Sequence, residues 1–255
     1  MKKSFQQEQF EKLQKNHELL KLFKIENTAD HQQLCRLLDD DYIAQKCNRE
    51  RRIPEQLLYI ETFARELLED VSTDSWIVDI GPGPGEFLEV CRFLGYRTKG
   101  YDASLEDCEM GDKYVLFSSL MANRQKLDIE YIGFENLISS LPFEDSSVTL
   151  INSRGSIEQV FKKYLKGVPH RVHKQSSYLC WQINEELKNT FFIFLKEIER
   201  ILKPGGIFLI FGNGAMNSPE YDKMLQKLIL DTPGLILEKE FSYENRLHKI
   251  RKVSQ

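Results

Sequence analysis

Residues 76–86 read Trp76-Ile77-Val78-Asp79-Ile80-Gly81-Pro82-Gly83-Pro84-Gly85-Glu86. Four apolar or β-branched positions around one carboxylate predict a buried parallel strand, and the glycines after it predict a sharp turn into a helix. Gly81, Gly83 and Gly85 permit positive φ and let a ligand lie against the backbone, because no Cβ stands in the way. The following helix, over about residues 86–94 with Phe87, Leu88, Cys91 and Leu94 as its apolar face, aims its N-terminal amides at that ligand and favours an anionic group. Spacing narrows the choice of ligand. A dinucleotide fingerprint needs a glycine three places after Gly83, where Glu86 stands, and a P-loop needs a Gly-Lys-Ser/Thr ending, which does not occur.

Gly-x-Gly-x-Gly after Val78-Asp79-Ile80 resembles the S-adenosylmethionine loop of the class I methyltransferases. The next strand, Tyr96-Arg97-Thr98-Lys99-Gly100-Tyr101-Asp102, ends on a carboxylate. The resemblance makes Asp102 the acceptor of both ribose hydroxyls. It implies a cofactor set of Asp79, Gly81, Pro82, Gly83, Gly85, Asp102, Ala103, Asn136, Leu137, Asn152 and Ser153.

The chain has 255 residues, 41% of them hydrophobic and 29% charged, enough for one α/β core and an appendage. A net charge of −4 argues against a general nucleic-acid binder, although a local basic face is compatible with it. The five cysteines are scattered and without a Cys-x-x-Cys, so neither a disulfide framework nor a zinc knuckle is expected. Reduced thiols point to the cytoplasm. No run of 18 apolar residues occurs and the first residues lack the apolar segment of a signal peptide, so no membrane association is expected.

Two domains are expected: a helical extension over residues 1–72 and an S-adenosylmethionine-binding domain over 73–255 with an insertion at about 159–184. In the extension, residues 4–24 carry an imperfect apolar stripe, Asn27, Thr28 and Asp30 offer caps for a second helix, and Pro54 opens a third. Asp39-Asp40-Asp41 reads as a solvated face. Beyond the glycine turn, a helix is predicted at about 110–125, strands at 128–132, 148–152 and 207–211, and a long helix from 185 to 202 stopped by Lys203-Pro204-Gly205-Gly206. A helix from 218 to about 230 and a hairpin of 235–241 with 247–253 close the chain. This is a doubly wound seven-stranded Rossmann-like α/β sheet whose last strand is antiparallel, the fold the resemblance implies.

The second half carries the resemblance too. Leu141-Pro142-Phe143-Glu144-Asp145-Ser146-Ser147-Val148 is similar to the Leu-Pro-Phe-x-Asp-x-Ser-Phe-Asp stretch of the small-molecule methyltransferases called type 11, and Leu202-Lys203-Pro204-Gly205-Gly206 to their Leu-Lys-Pro-Gly-Gly. Departures from the pattern are informative. Thr149 replaces an aspartate, and Leu137 replaces an acid that holds the adenine amino group, leaving Glu135, Asn136 or main-chain groups of Leu137 and Ile138 for that task. Gln159 replaces a histidine, so a histidine base at that place does not carry over. A family N-terminal piece commonly covers the cofactor site, which would let Arg52 pair with the methionine carboxylate; a plain surface arginine is the other reading.

Methyl transfer from an activated sulfonium needs a nucleophile held in line and water kept out, with a base only if the acceptor must lose a proton. Residues 159–184 combine Lys162, Lys163, Lys166, Arg171 and Lys174 with His170, His173, Tyr164, Tyr178 and Trp181. Such a segment suits an anionic or planar acceptor, and equally a solvated basic helix with Trp181 in the core. Glu158, His170 and His173 are the candidate bases; two histidines without a nearby carboxylate do not make a metal site. Three functions follow: methylation of an oxygen or nitrogen of a small, anionic molecule; methylation of RNA or protein; or a non-catalytic module that binds S-adenosylmethionine.

Overall fold

The computed structural model describes residues 56, 75–93, 95–103, 126–154, 156–157, 185–211, 219–238 and 247–253. The expected helix at 110–125, the insertion at 159–184, Arg52, Glu158, His170 and His173 lie outside them. Of the N-terminal extension only Gln56 is described, helical and buried.

In chain order the elements are β1 Trp76–Ile80, α1 Glu86–Phe93, β2 Arg97–Ala103, β3 Ile129–Ile132, α2 Phe134–Ser139, β4 Val148–Arg154, α3 Glu185–Ile201, β5 Leu202–Phe211, α4 Pro219–Leu230, β6 Leu235–Glu238 and β7 Leu247–Lys252. Among the described residues seven strands form one sheet of order β3-β2-β1-β4-β5-β7-β6. The first five pair in parallel, and β7 runs antiparallel to both β5 and β6. The order reverses between β1 and β4. In an open sheet of this kind a crevice forms there, beyond the carboxyl ends of the strands, and that is where ligands bind.

The central strands are apolar because both faces are covered. Val78, Ile80, Ile151 and Phe208 lie in one core with Phe191, Phe194 and Ile198, the buried stripe of α3. Phe194 meets Phe208 edge to face at 5.8 Å, an arrangement the ring quadrupoles favour.

Three elements depart from the sequence expectations. Strand β5 begins at Leu202, which pairs with Val148, whereas the next pair is Leu150 with Ile207. Lys203-Pro204-Gly205-Gly206 therefore bulges out of a strand already begun rather than filling a gap before it. Gly205 takes φ +78°, and a Cβ at Gly206 would stand 2.8 Å from the Lys203 carbonyl oxygen. Strand β4 continues two residues past the expected Asn152, to Arg154. Helix α2 was not expected at all: Gly133, extended at φ −61°, ψ 147°, opens it, and its carbonyl accepts the N–H groups of Asn136 and Leu137.

The turn between α2 and β4 is clamped by α3. Glu197 accepts the Leu141 N–H at 2.8 Å and two bonds from Arg200, at 2.9 and 2.6 Å. Arg200 in turn donates to the carbonyls of Leu141 and Phe143 and to the Asp145 carboxylate. Phe143, so held, packs edge to face on Trp76 and Tyr101.

Candidate functional site

The carboxyl ends of β1, β2 and β4 bring most of the expected site residues together. Gly81, Gly83 and Gly85 all have positive φ, at 72°, 53° and 85°. That backbone turns the chain from β1 into α1, whose first turn carries the buried Glu86 and Glu89. The Gly83 N–H donates to Asp102 Oδ2 at 3.3 Å, so the middle of the turn and the end of β2 are in contact. Ala103 closes β2 beside it.

Two of the three glycines owe their missing Cβ to this chain's own packing. A Cβ on Gly85 would run into Leu127 and lie 3.2 Å from Ile129, the first residue of β3. One on Gly81 would run into Ser156. Pro82 packs towards Gly100 of β2, where an added Cβ would stand 3.0 Å from its ring.

Beneath the turn lies a buried polar pair. Asp79 and Asn152 face each other in the β1–β4 register, and the Asn152 amide donates to Asp79 Oδ1 at 2.7 Å. Asp79 is only 3% exposed. Burial pushes its carboxyl from an ordinary 3.8 up to about 7; the Asn152 hydrogen bond opposes this, the charges of Asp102 and Glu86 add to it, and Arg154 opposes it. The Cys91 thiol on α1 is likewise pushed up by burial and by Asp79. Ser153, fully buried, is within 3.0 Å of the Ser156 hydroxyl.

Asn136 and Leu137 sit on α2, which follows the carboxyl end of β3, the strand beside β2. Asn136 is exposed, the Leu137 side chain lies in the core, and the N–H groups of both are engaged by Gly133. Ser156 and Arg154 are site neighbours that the sequence reading left out. Arg154 lies beyond the expected end of its strand, and nothing local marks Ser156, which bonds the Ile80 carbonyl 76 residues away. Among the described residues no group of three or more His, Cys, Asp or Glu is placed to hold a metal, and no helix is long and apolar enough to cross a membrane.

A parallel sheet with an antiparallel β7 inserted at one edge, a glycine turn after β1 and a carboxylate at the end of β2 define a Rossmann-like fold of the class I methyltransferase type. The family model described as a methyltransferase domain, type 11, matches residues 78–210, more than half of the chain, and the chain belongs to that family. It is an S-adenosylmethionine-dependent methyltransferase. No curated protein matches it in sequence. Among solved structures it is similar to a methyltransferase of this dependence from Aquifex aeolicus, at 15% identity, covering 76% of this chain and 90% of that one, with a TM-score of 0.43. It is also similar to geranyl diphosphate C-methyltransferase from Streptomyces coelicolor, solved with Mg2+, geranyl-S-thiolodiphosphate and S-adenosyl-L-homocysteine, at 14% identity, covering 80% of each chain, with a TM-score of 0.42.

The donor set fits the cofactor. An ionised carboxylate is an acceptor with about four lone-pair sites, so Asp102 can take the Gly83 N–H and still suit a pair of vicinal hydroxyls. The backbone of a turn at positive φ admits a ligand closely.

Proposed function

We propose that the enzyme methylates an oxygen or nitrogen of a small, anionic molecule. The observation that carries the cofactor half of this reading is the contact of Gly83 N–H with Asp102 Oδ2 at the mouth of the β1–β4 crevice. In it, Asp102 holds the ribose hydroxyls, the main chain of Gly81, Pro82, Gly83 and Gly85 carries the methionine end, and Ala103 and Asn136 border the adenine. Asp79, Asn152 and Ser153 form the floor, and Arg52 meets the methionine carboxylate. Leu137 contributes packing rather than a ligand contact, because its side chain is in the core.

When bound, S-adenosylmethionine supplies a methyl group already activated by its sulfonium. The chain's own residues have to orient the acceptor and exclude water. The cations and aromatics of residues 159–184 support an anionic acceptor, since charge-assisted bonds and ring faces both suit one. Glu158, directly after the buried Ile157, and His170 and His173 are the groups available to take a proton from it.

The test is transfer of labelled methyl from S-adenosylmethionine to separated pools of anionic small molecules, neutral small molecules, RNA and protein. Label in the anionic pool is the expected result. Label confined to the RNA or protein pool would refute the acceptor class, and none in any pool, with S-adenosylhomocysteine still bound, would mark a binding module.

A further inference from the structure

The first glycine of the cofactor turn is occupied from behind. Ser156, two residues past the end of β4, places its Cβ and Oγ where a Gly81 side chain would begin, and its Cα at 3.5 Å. Its hydroxyl donates to the Ile80 carbonyl at 2.6 Å. A carbonyl only accepts, so the single hydroxyl proton of Ser156 is committed there. The 3.0 Å contact with Ser153 therefore runs from the Ser153 hydroxyl to Ser156 Oγ, giving the chain Ser153 to Ser156 to Ile80. On the far side of the same peptide, the Gly81 N–H donates to the Tyr101 carbonyl of β2 at 2.7 Å. The Ile80–Gly81 peptide is thus held at its oxygen from the β4 side and at its nitrogen from the β2 side.

We propose that Ser156 is a positioning residue for the cofactor turn: it fixes the Ile80–Gly81 peptide, and Gly81 must be glycine to admit Ser156 and to hold its φ of +72°, rather than to admit the ligand. This rests on the glycine turn being the cofactor seat. It makes the strand that leads towards the proposed acceptor segment also set the cofactor's backbone. The adjoining Ile157, buried in the core, anchors Ser156 in place.

The experiment is a calorimetric titration with S-adenosylhomocysteine of wild type, Gly81→Ala, Ser156→Gly and the double variant, with melting curves for each. Gly81→Ala alone is expected to lose roughly a hundredfold or more in affinity. The double variant, in which the alanine Cβ has space, should return to within about tenfold of Ser156→Gly, the remainder reflecting alanine at positive φ. A double variant no better than Gly81→Ala overturns the proposal, because the Cβ then meets the ligand. If Gly81→Ala does not fold, Ser156→Ala decides. A loss of about three- to tenfold supports the proposal, provided that Thr232→Val, which removes a buried hydrogen bond at the end of α4, leaves affinity unchanged. Unchanged affinity in Ser156→Ala overturns it. A folded wild type that does not bind S-adenosylhomocysteine overturns the seat and the proposal together, whereas wild-type binding without rescue overturns the proposal alone.

Discussion

Replacing Asp79 by asparagine should make the protein more stable at neutral and alkaline pH. The carboxyl is raised from 3.8 to about 7, chiefly by burial. Below pH 3.8 it is protonated in both the folded and the unfolded chain, and its contribution to stability is fully present. As pH rises from 4 towards 7 the unfolded chain gives up a proton that the folded chain retains, so stability falls by up to about 1.4 kcal/mol per pH unit. The loss is complete once pH passes about 7. A little over three pH units at that slope sets an upper bound of about 4 kcal/mol, which relaxation around the buried charge reduces. Asparagine is isosteric, and its carbonyl can accept the Asn152 amide at 2.7 Å in place of Asp79 Oδ1. Urea unfolding of both proteins at several pH values between 4 and 8.5 measures the effect. The wild type should carry a downward component across this range that the variant lacks, with the two curves diverging by about 1–2 kcal/mol or more at pH 8. Parallel curves at every pH would refute the reasoning, since they would mean that Asp79 is ionised as easily folded as unfolded.

Asp102→Ala should weaken S-adenosylmethionine by at least roughly tenfold, read by titration of the folded variant; equal affinity would remove Asp102 from the cofactor set. Glu197→Ala should cost about 2–4 kcal/mol in chemical unfolding, because it strands the Leu141 N–H and takes away the anion facing Arg200. Phe194→Ala, which empties a fully buried position between α3 and β5, should cost about 3–5 kcal/mol by the same assay. Once an acceptor is found, Glu158→Gln should lower kcat by about a hundredfold or more without changing S-adenosylhomocysteine affinity; an unchanged kcat would discard it as the base.

What could be read along the chain was whatever depends on neighbours in sequence. Trp76-Ile77-Val78-Asp79-Ile80 and Ile207-Phe208-Leu209-Ile210-Phe211 announce central strands because burial on both faces demands continuous apolar runs. The stripe Leu187, Phe191, Phe194, Leu195, Ile198 announces a helix by its period. Helix α2 was illegible because six residues complete fewer than two turns and show no stripe; its N–H bonds to Gly133 then change what Asn136 and Leu137 can offer. The early start of β5 was hidden for another reason. Lys203-Pro204-Gly205-Gly206 reads as a break, and only the pairing of Leu202 with Val148, 54 positions earlier, makes it a bulge within a strand. Around the site, Asp79 inside β1 and Asp102 near the end of β2 stand where their strands' own residues put them. Spacing gave no hint that the amide facing Asp79 would be Asn152, or that Ser156 would fill the space behind Gly81, since both contacts are made across the sheet.

The two rims of the sheet differ in how their polar groups are used. At the entry rim, where β4 and β5 begin, polar groups are tied to one another. Arg200 spans Glu197, Asp145 and two carbonyls; Lys203 reaches the Ser75 hydroxyl at 2.7 Å; Lys252 holds the Leu202 carbonyl at 2.7 Å; and Arg97 lies 4.0 Å over Trp76. These contacts draw β1, β2, β4, β5 and β7 together at one end. At the exit rim the Asp79 carboxyl is held up chiefly by its burial, and the nearby charges of Asp102 and Glu86 add to that. A carboxylate so placed destabilises the fold, and it persists because the entry rim and the core over-determine the strand positions. Substitutions at the two ends should therefore separate cleanly. Glu197→Ala lowers stability with S-adenosylhomocysteine affinity intact, whereas Asp79→Asn raises stability and changes the floor on which the cofactor lies.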